Sequence, residues 1–294
     1  MLVTGASGFI GAAVCRRLAA EGAEVHGTGQ TRPSPAVAEH HRVALPADAM
    51  SVVERVRPMG VIHLAAPVMA GANAEHRSIL ETGIVDGTIS MAKATHRLGV
   101  PMVHAGTCAE YGSVPSPHRE DGAVRPVDAY GELKLQATQQ ALAYPNVSVG
   151  RIFRAIGPGD TASVVAAAAR AALTRTSFSM TSGEQIREWN HVDAVATGLM
   201  HLLARPGLQG CIVNIGGGPE LSVRAVVEMV FDAADCDRTL IRLGARPQRP
   251  GEVASLVGDH SRARAAWGEV HQPAIQDTVR DAVEWTRTHL EDAA

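Results

Sequence analysis

A tyrosine and a lysine stand four residues apart, at Tyr130 and Lys134, in the segment YGELK. On a helix this spacing places both side chains on one face. A phenol with a pKa of about 10 is a poor acid–base group at neutral pH, and a neighbouring ammonium lowers that pKa by favouring the phenolate. The pair predicts a tyrosine proton donor tuned by Lys134, although the same spacing also occurs in ordinary surface pairs.

A hydroxyl group precedes this pair in the sequence. Thr107 follows the apolar run 100–105, which has the composition of a buried strand. Parallel sheets bind ligands at the carboxyl ends of their strands, where a hydroxyl can orient a reacting carbonyl or alcohol. We therefore predict a catalytic set of Thr107, Tyr130 and Lys134. The alternative is that Thr107 only caps a helix or a turn.

The segment TGASGFIG, residues 4–11, connects a short strand at 1–3 to an amphipathic helix at 9–21. Its glycines allow a sharp turn and the close approach of a ligand, and the start of the helix directs N–H groups toward a pyrophosphate. A second strand at 24–28 follows in the order of a dinucleotide-binding fold. The pattern predicts a nicotinamide dinucleotide site, whereas three glycines alone would indicate only a tight turn. The predicted contacts are Gly5, Ser7, Gly8, Phe9, Ile10 and Gly11.

Strand and helix patterns alternate over the first half of the chain. The predicted strands are 61–66, 100–105 and 147–153, and the predicted helices are 84–98 and 129–144. This alternation favours an α/β fold with a doubly wound parallel Rossmann sheet and right-handed crossovers. After residue 157 the alternation weakens. The later elements are helices at 164–174, 192–204 and 222–233 and a strand at 212–215.

We expect a dinucleotide-binding domain over residues 1–155, to which 190–216 returns, and a smaller α/β substrate domain over 156–294. Hydrophobic residues make up 46% and charged residues 19% of the 294, as in soluble globular proteins, and the net charge of −3 excludes a nucleic-acid footprint or a basic membrane face. The four cysteines are widely spaced, and no leader or spanning segment is expected. These features predict a cytoplasmic protein with reduced thiols, without membrane or nucleic-acid partners and without a metal-ligand cluster.

With these motifs the chain resembles the extended short-chain dehydrogenase/reductases that act on nucleoside-diphosphate sugars, namely epimerases, 4,6-dehydratases and 4-ketoreductases. TGASGFIG resembles the family's cofactor turn, and HLAA at 63–66 its fourth-strand signature. GTCAEYG at 106–112 and YGELK resemble its catalytic segments, and RIFRAIGPG at 151–159 resembles the strand and loop beside the nicotinamide. The resemblance implies cofactor contacts from Leu64, Ala65, Ala66, Tyr130 and Lys134.

Three arginines extend the resemblance to the substrate. Arg187 in REWNHVD and Arg249 in RPGE match arginines that hold the substrate diphosphate in relatives, a suitable role for guanidinium groups. Their alternative role is surface salt bridging. Arg154 replaces an Asn of the family and either adds a cation near the diphosphate or reshapes the sugar pocket. His191 is expected to be structural.

Departures from the family pattern narrow the reaction. Cys108 and Ala109 occupy the places of the Asp–Glu pair that 4,6-dehydratases need, so dehydration is not expected, and Glu110 is expected to be structural. The stretch 28–32 has no acid to bind ribose hydroxyls and repel a 2′-phosphate. It does carry Arg32, which favours NADP(H) over NAD(H) unless that arginine only lies in a solvated loop. Leu45 stands where relatives have an Asp that contacts adenine.

Together these features favour an NADPH-dependent reductase of the C4 keto group of a nucleoside-diphosphate 4-keto-6-deoxy sugar, dTDP-linked. An NAD-dependent nucleotide-sugar 4-epimerase is the alternative, since it would use the same three catalytic residues. A non-catalytic dinucleotide-binding protein is a third hypothesis, which the presence of both Tyr130 and Lys134 disfavours. Relatives often dimerise, so we expect a homodimer.

Overall fold

Strands and helices alternate along the described residues, 1–30, 34, 36–67, 74–248 and 251–290, of a computed structural model. The strands are β1 Leu2–Thr4, β2 His26–Thr28, β3 Glu39–His41, β4 Val61–His63, β5 Met102–Thr107, β6 Val147–Ile152, β7 Ala155–Ile156, β8 Phe178–Ser179, β9 Ile186–Glu188, β10 Asn190–His191, β11 Ile212–Ile215, β12 Glu220–Ser222, β13 Ile241–Arg242 and β14 Ser255–Leu256. The α-helices are α1 Phe9–Ala20, α2 Ala49–Val56, α3 Ala74–Glu81, α4 Gly87–Arg97, α5 Ala129–Ala141, α6 Val164–Leu173, α7 Val192–Leu203, α8 Val223–Ala233, α9 Ser261–Trp267 and α10 Ile275–Thr288.

Seven parallel strands form the central sheet, in the order β3-β2-β1-β4-β5-β6-β11. The direction of winding reverses between β1 and β4, and such a reversal opens a crevice at the carboxyl ends of the strands. The predicted doubly wound Rossmann sheet is therefore confirmed. β11, which belongs to the segment 190–216, lies at one edge of this sheet. The division into two domains at residue 155 stays a prediction.

The alternation of side chains in the strands explains why helices cover both faces of the sheet. Val3, Ile62 and Val103 are neighbours on one face and pack in a cluster with residues of α1 and α7. The residue before each of these, namely Leu2, Val61 and Met102, lies on the other face and packs with residues of α2 and α4. These side chains are fully or almost fully buried, and each such burial stabilises the fold by roughly 1.5–3 kcal/mol.

A separate hydrophobic cluster, away from the two faces of the central sheet, lies among α6, α8 and α10 and includes Val165, Val227 and Val279. Three small sheets accompany these helices, with strand orders β12-β9-β14, β10-β7 and β13-β8. Within the described part of the chain, none of the helices has the length and apolar character needed to cross a bilayer.

Three predicted boundaries near the crevice were wrong. β5 continues through Thr107, which is its last residue and does not lie beyond the strand. β4 ends at His63, so residues 64–66 form the turn after the strand. The helix predicted at 84–98 is the second part of a helical run that begins at Ala74 and passes through one π-helical turn, Thr82–Asp86.

Candidate active site

The turn between β1 and α1 requires glycine at two places for steric reasons. Gly5 has a φ of 70°, and a Cβ on it would lie 2.9 Å from the amide nitrogen of Ala65. A Cβ on Gly11 would lie 2.0 Å from the carbonyl oxygen of Gly5. Gly8 is the N-cap residue of α1, and among the described side chains none caps this helix by a hydrogen bond. The first amides of α1 are therefore available to an anion.

Thr4 joins this turn to the turn after β4. Its Oγ1 accepts hydrogen bonds of 3.2 Å from the amides of Leu64 and Ala65, and it lies 2.7 Å from His63 Nδ1. The two turns therefore form one continuous edge of the crevice. This arrangement explains why the HLAA segment contributes to the same site as the glycine turn.

Two cavities lie along this edge and share Gly5, Gly8, Leu64 and Ala66 in their walls. The cavity at the β2 end has a volume of ≈ 690 Å³, and its walls include Ser7, Ala65, Thr28, Gln30 and Leu45. The other has a volume of ≈ 410 Å³ and opens beside β5. Two lobes that meet at free helix-terminal amides fit a dinucleotide with its diphosphate at the junction. Leu45 gives the first lobe an apolar surface.

The three predicted catalytic residues meet in the ≈ 410 Å³ cavity, together with Phe9, Ile10 and Gly11. Asp128 is the N-cap residue of α5, and its side chain accepts a 2.8 Å hydrogen bond from the amide of Gly131. A Cβ on Gly131 would lie 2.8 Å from the carbonyl of Ala109, so α5 packs closely against the end of β5. This contact brings Tyr130 into the cavity that Thr107 lines.

Lys134 lies one helical turn after Tyr130 and is buried, with 4% of its surface exposed. Its Nζ donates a 2.5 Å hydrogen bond to the carbonyl oxygen of Ala105. Burial lowers the pKa of Lys134 to about 8, although the negative charge of Glu110 acts to raise it. The ammonium is thus held inside the site by the backbone of β5.

The expected lowering of the tyrosine pKa was wrong. Burial raises the pKa of Tyr130 to about 12, and the negative charges of neighbouring groups, Glu110 among them, add to that rise. The nearby Thr107 hydroxyl acts in the opposite direction and lowers this pKa. Lys134 instead directs its ammonium to the Ala105 carbonyl.

Glu110 has the structural role that its sequence position predicted. It is completely buried and accepts a 2.8 Å hydrogen bond from the amide of Thr107 and a 2.8 Å ion-paired hydrogen bond from Arg151 Nε. Thr138 donates to it as well, over 3.2 Å. Thr107 Oγ1 in turn accepts from the amide of Ala109 at 3.3 Å and completes a capping box. Both readings of Thr107 therefore hold, since it caps a turn and faces Tyr130.

Two of the predicted substrate arginines reach the same cavity. Arg187 and Arg154 both line it, beside Cys108. Burial lowers the pKa of Arg187, and the positive charge of Arg154 adds to this effect. Arg187 is also paired with Glu252 at 3.3 Å, so the alternative of salt bridging holds too, although the pair is largely buried. Arg32 and Arg249 lie outside the described residues.

Cys108, Phe153 and Leu256 also line this cavity. Sequence reasoning included Cys108 and Phe153 only as members of family segments, without a contact of their own, and it missed Leu256. Cys108 directly follows Thr107, and that adjacency was the available signal. Burial raises the pKa of its thiol to about 11, so the thiol stays protonated and is a weak nucleophile. Leu256 comes from β14, far away in sequence, and no local pattern marks it.

Side chains of β9 and β10 hold neighbouring loops and the start of α7 in place. Glu188 accepts hydrogen bonds from the amides of Gly217 and Gly258, at 2.7 and 3.0 Å, and from His260 Nε2 at 2.7 Å. His191 caps α7, because its Nδ1 accepts a 3.1 Å hydrogen bond from the amide of Asp193. The prediction that His191 is structural agrees with this contact.

The structure brings together a group of potential metal ligands that the sequence analysis did not identify, and the expectation that the chain holds no metal stays a prediction. Among the described residues, His26, Glu39 and His41 bring three potential ligand atoms within 4.8 Å of one another. They come from β2 and β3, away from the catalytic cavity. The sequence offers no local motif for this group, because its members meet only through strand pairing.

Residues 1–216 match the family model described as the NAD-dependent epimerase/dehydratase family. The chain belongs to this family. Membership confirms the resemblance based on the motifs and identifies the chain as an enzyme of a nicotinamide-dinucleotide-dependent class. The glycine turn and the segments carrying Thr107, Tyr130 and Lys134 all lie within the matched residues.

Individual family members are similar over nearly the whole length. The dTDP-6-deoxy-L-talose 4-dehydrogenase (NAD(P)(+)) of Kitasatospora kifunensis is 28% identical, covering 97% of this chain and 94% of its own length. The UDP-glucose 4-epimerase of Streptomyces lividans is 30% identical, covering 98% and 96%. The solved structure of MoeE5 in complex with UDP-glucose and NAD is 28% identical and covers 98% of this chain and 99% of that one, with a TM-score of 0.89.

Proposed function

We propose that the protein is an NADPH-dependent reductase of the C4 keto group of a nucleoside-diphosphate 4-keto-6-deoxy sugar, with a dTDP-linked sugar as the expected substrate. The observation that carries the proposal is the meeting of Thr107, Tyr130 and Lys134 in one cavity beside the glycine turn, at the carboxyl end of β5. Reduction of a ketone needs a proton donor at this place, whereas oxidation of an alcohol needs a base. The relatives include a dTDP-6-deoxy-L-talose 4-dehydrogenase and a GDP-6-deoxy-D-mannose reductase, and these names support this reaction class.

Each catalytic residue has a separate task in this proposal. Thr107 fixes the ketone oxygen, and Tyr130 gives that oxygen its proton. Lys134 holds the cofactor ribose. NADPH, when bound, supplies the hydride to C4. Glu110 keeps Thr107 in place through the backbone amide.

The absence of an acid pair after Thr107 argues against dehydration. Elimination across C5 and C6 needs an additional acid and base, and the residues at those places are Cys108 and Ala109. The thiol has a raised pKa and is enclosed, so it does not replace a carboxylate. Tyr130 is therefore the proposed proton donor at the ketone, and no second acid–base pair follows Thr107 in the sequence.

The arginines bind the diphosphate of the substrate in this proposal. Arg187 and Arg154 lie in the cavity that holds Thr107, and Arg249 is proposed to act with them. Guanidinium groups suit this role because they donate two parallel hydrogen bonds to phosphate oxygens. The Glu252 partner of Arg187 holds the guanidinium in place before the substrate arrives.

The preference for NADPH is proposed from the β2 end of the crevice. Thr28, Gly29 and Gln30 line this lobe, and none of them carries a carboxylate that would repel a 2′-phosphate. Arg32 follows two residues later and is proposed to pair with that phosphate. The name of the first relative, which includes NAD(P)(+), is compatible with this choice.

Measuring NADPH absorbance in the presence of dTDP-, GDP- and UDP-linked 4-keto-6-deoxy sugars tests the function. The proposal expects stoichiometric oxidation of NADPH and formation of the 4-hydroxy sugar, with NADH slower. A 4-epimerase is the second candidate, because the Streptomyces lividans relative carries that name at 30% identity. Tightly held NAD and interconversion of UDP-glucose and UDP-galactose without net NADPH use would establish the epimerase and overturn the reductase.

A further inference from the structure

The paired strands β2 and β3, at the edge of the central sheet, bring two imidazoles and a carboxylate together. We propose that His26, Glu39 and His41 form a binding site for one divalent transition-metal ion of the zinc type. His26 Nδ1 lies 3.1 Å from His41 Nε2 and 3.7 Å from Glu39 Oε2. Tetrahedral ligands at the usual zinc distances are about 3.3–3.4 Å apart. The three atoms already have nearly that spacing.

The outer ring nitrogens of both histidines face carboxylates. His26 Nε2 lies 3.1 Å from Glu24 Oε1, and His41 Nδ1 lies 3.5 Å from Glu39 Oε1. An ionised carboxylate only accepts hydrogen bonds, so it favours a proton on the ring nitrogen that faces it. With the protons on the outer nitrogens, the two inner nitrogens, 3.1 Å apart, both offer lone pairs to a cation. A carboxylate behind a ligating imidazole is the usual support of a metal site.

Burial and charge also fit a metal ion. The His41 side chain is 5% exposed and that of His26 is 17% exposed, so both rings are held in position, whereas Glu39 is 62% exposed and leaves an entry path. The carboxylates of Glu24 and Glu39 lie against the two rings and supply negative charge for a cation.

The donor set identifies the class of ion. Two imidazole nitrogens and one carboxylate oxygen suit zinc, nickel or copper, whereas magnesium and calcium prefer oxygen ligands throughout. One open coordination position remains for water. The ion holds β3 to β2, and the carbonyl of His41 accepts a 3.4 Å hydrogen bond from the amide of Gly29, which lines the ≈ 690 Å³ cavity.

Calorimetric titration of the chelator-stripped full chain with zinc chloride tests the proposal. One zinc ion per chain is expected to bind, and a zinc concentration of about 100 times its Kd raises the folded-to-unfolded ratio about 100-fold. Glu24→Gln is expected to weaken binding about 10–100-fold, because it removes only the support of His26. His26→Gln and Glu39→Gln remove ligands and are expected to abolish saturable binding.

Two matched variants separate this site from general binding to side chains. His96→Gln and Glu284→Gln change the same residue types on α4 and α10, and both are expected to bind zinc like the wild type. Should His26→Gln fail to fold, Glu39→Gln still decides, because its side chain is mostly exposed. Failure of the wild type to bind zinc saturably overturns the proposal and leaves only a hydrogen-bonded network. Unchanged affinity in Glu39→Gln overturns it as well.

Discussion

The buried pair of Glu110 and Arg151 is predicted to support both the fold and the catalytic threonine, and Glu110→Gln tests this role. Their side chains are 0% and 3% exposed, and Arg151 Nε donates to Glu110 over 2.8 Å. Gln keeps the shape but removes the charge, which leaves an uncompensated guanidinium in the core. Breaking one side of a buried pair costs about 3–5 kcal/mol.

That cost is a large part of a typical folding free energy of about 5–15 kcal/mol. At about 2–4 °C per kcal/mol for a chain of this size, the midpoint of thermal unfolding falls by roughly 6–20 °C. Urea unfolding of wild type and variant at the same pH measures the loss directly. The amide of Thr107, which donates to Glu110 over 2.8 Å, loses a charged acceptor, so kcat is expected to fall as well.

Glu132→Gln is the matched control. Glu132 lies on α5 and pairs with Arg77 at 3.2 Å, but both side chains are about half exposed. Such surface pairs contribute about 0–1 kcal/mol. Equal losses of stability in Glu110→Gln and Glu132→Gln would refute the reasoning, because they would show that burial does not make the Glu110 charge essential.

Three further predictions concern the crevice. Lys134→Met is expected to abolish turnover without lowering stability at pH 7, because a fall of the lysine pKa from 10.5 to about 8 on folding corresponds to a cost of about 3 kcal/mol. That cost is fully present below pH 8 and disappears as the pH rises toward 10.5, so urea unfolding should show the wild type gaining stability relative to Lys134→Met over this range. Arg187→Met is expected to raise KM for the nucleotide sugar at least about 10-fold with a smaller change in the Kd of NADPH, measured by steady-state kinetics and fluorescence titration; equal effects on both ligands would contradict a diphosphate role. Arg32→Ala is expected to lower the ratio of kcat/KM for NADPH to that for NADH, and an unchanged ratio would exclude Arg32 as the phosphate ligand.

Local spacing was sufficient to predict the glycine turn and the Tyr130–Lys134 pair. Both depend on contacts within one turn or one helix, and the structure brings them together with Thr107 in one cavity. The family signature added Leu64, Ala65 and Ala66, which line the same crevice. Their contact with Thr4 crosses about sixty residues and follows only from the pairing of β1 with β4.

Interactions that depend on strand pairing were not predictable. Arg151 reaches Glu110 because β5 and β6 pair in a register that places Gly106 opposite Arg151. His26 and His41 meet through the pairing of β2 and β3. The direction of the Tyr130 pKa shift was also missed, since the sequence shows a nearby ammonium but not the burial of the phenol or the Ala105 carbonyl that Lys134 contacts.

The most direct test of the central claim is the rate of NADPH oxidation by Tyr130→Phe with a reducible 4-keto sugar at saturation. Loss of the proton donor is expected to lower kcat about 100- to 10,000-fold, while the Kd of NADPH changes little and Tyr144→Phe behaves like the wild type. A Tyr130→Phe enzyme that turns over at the wild-type rate would contradict the assignment of this phenol as the proton donor.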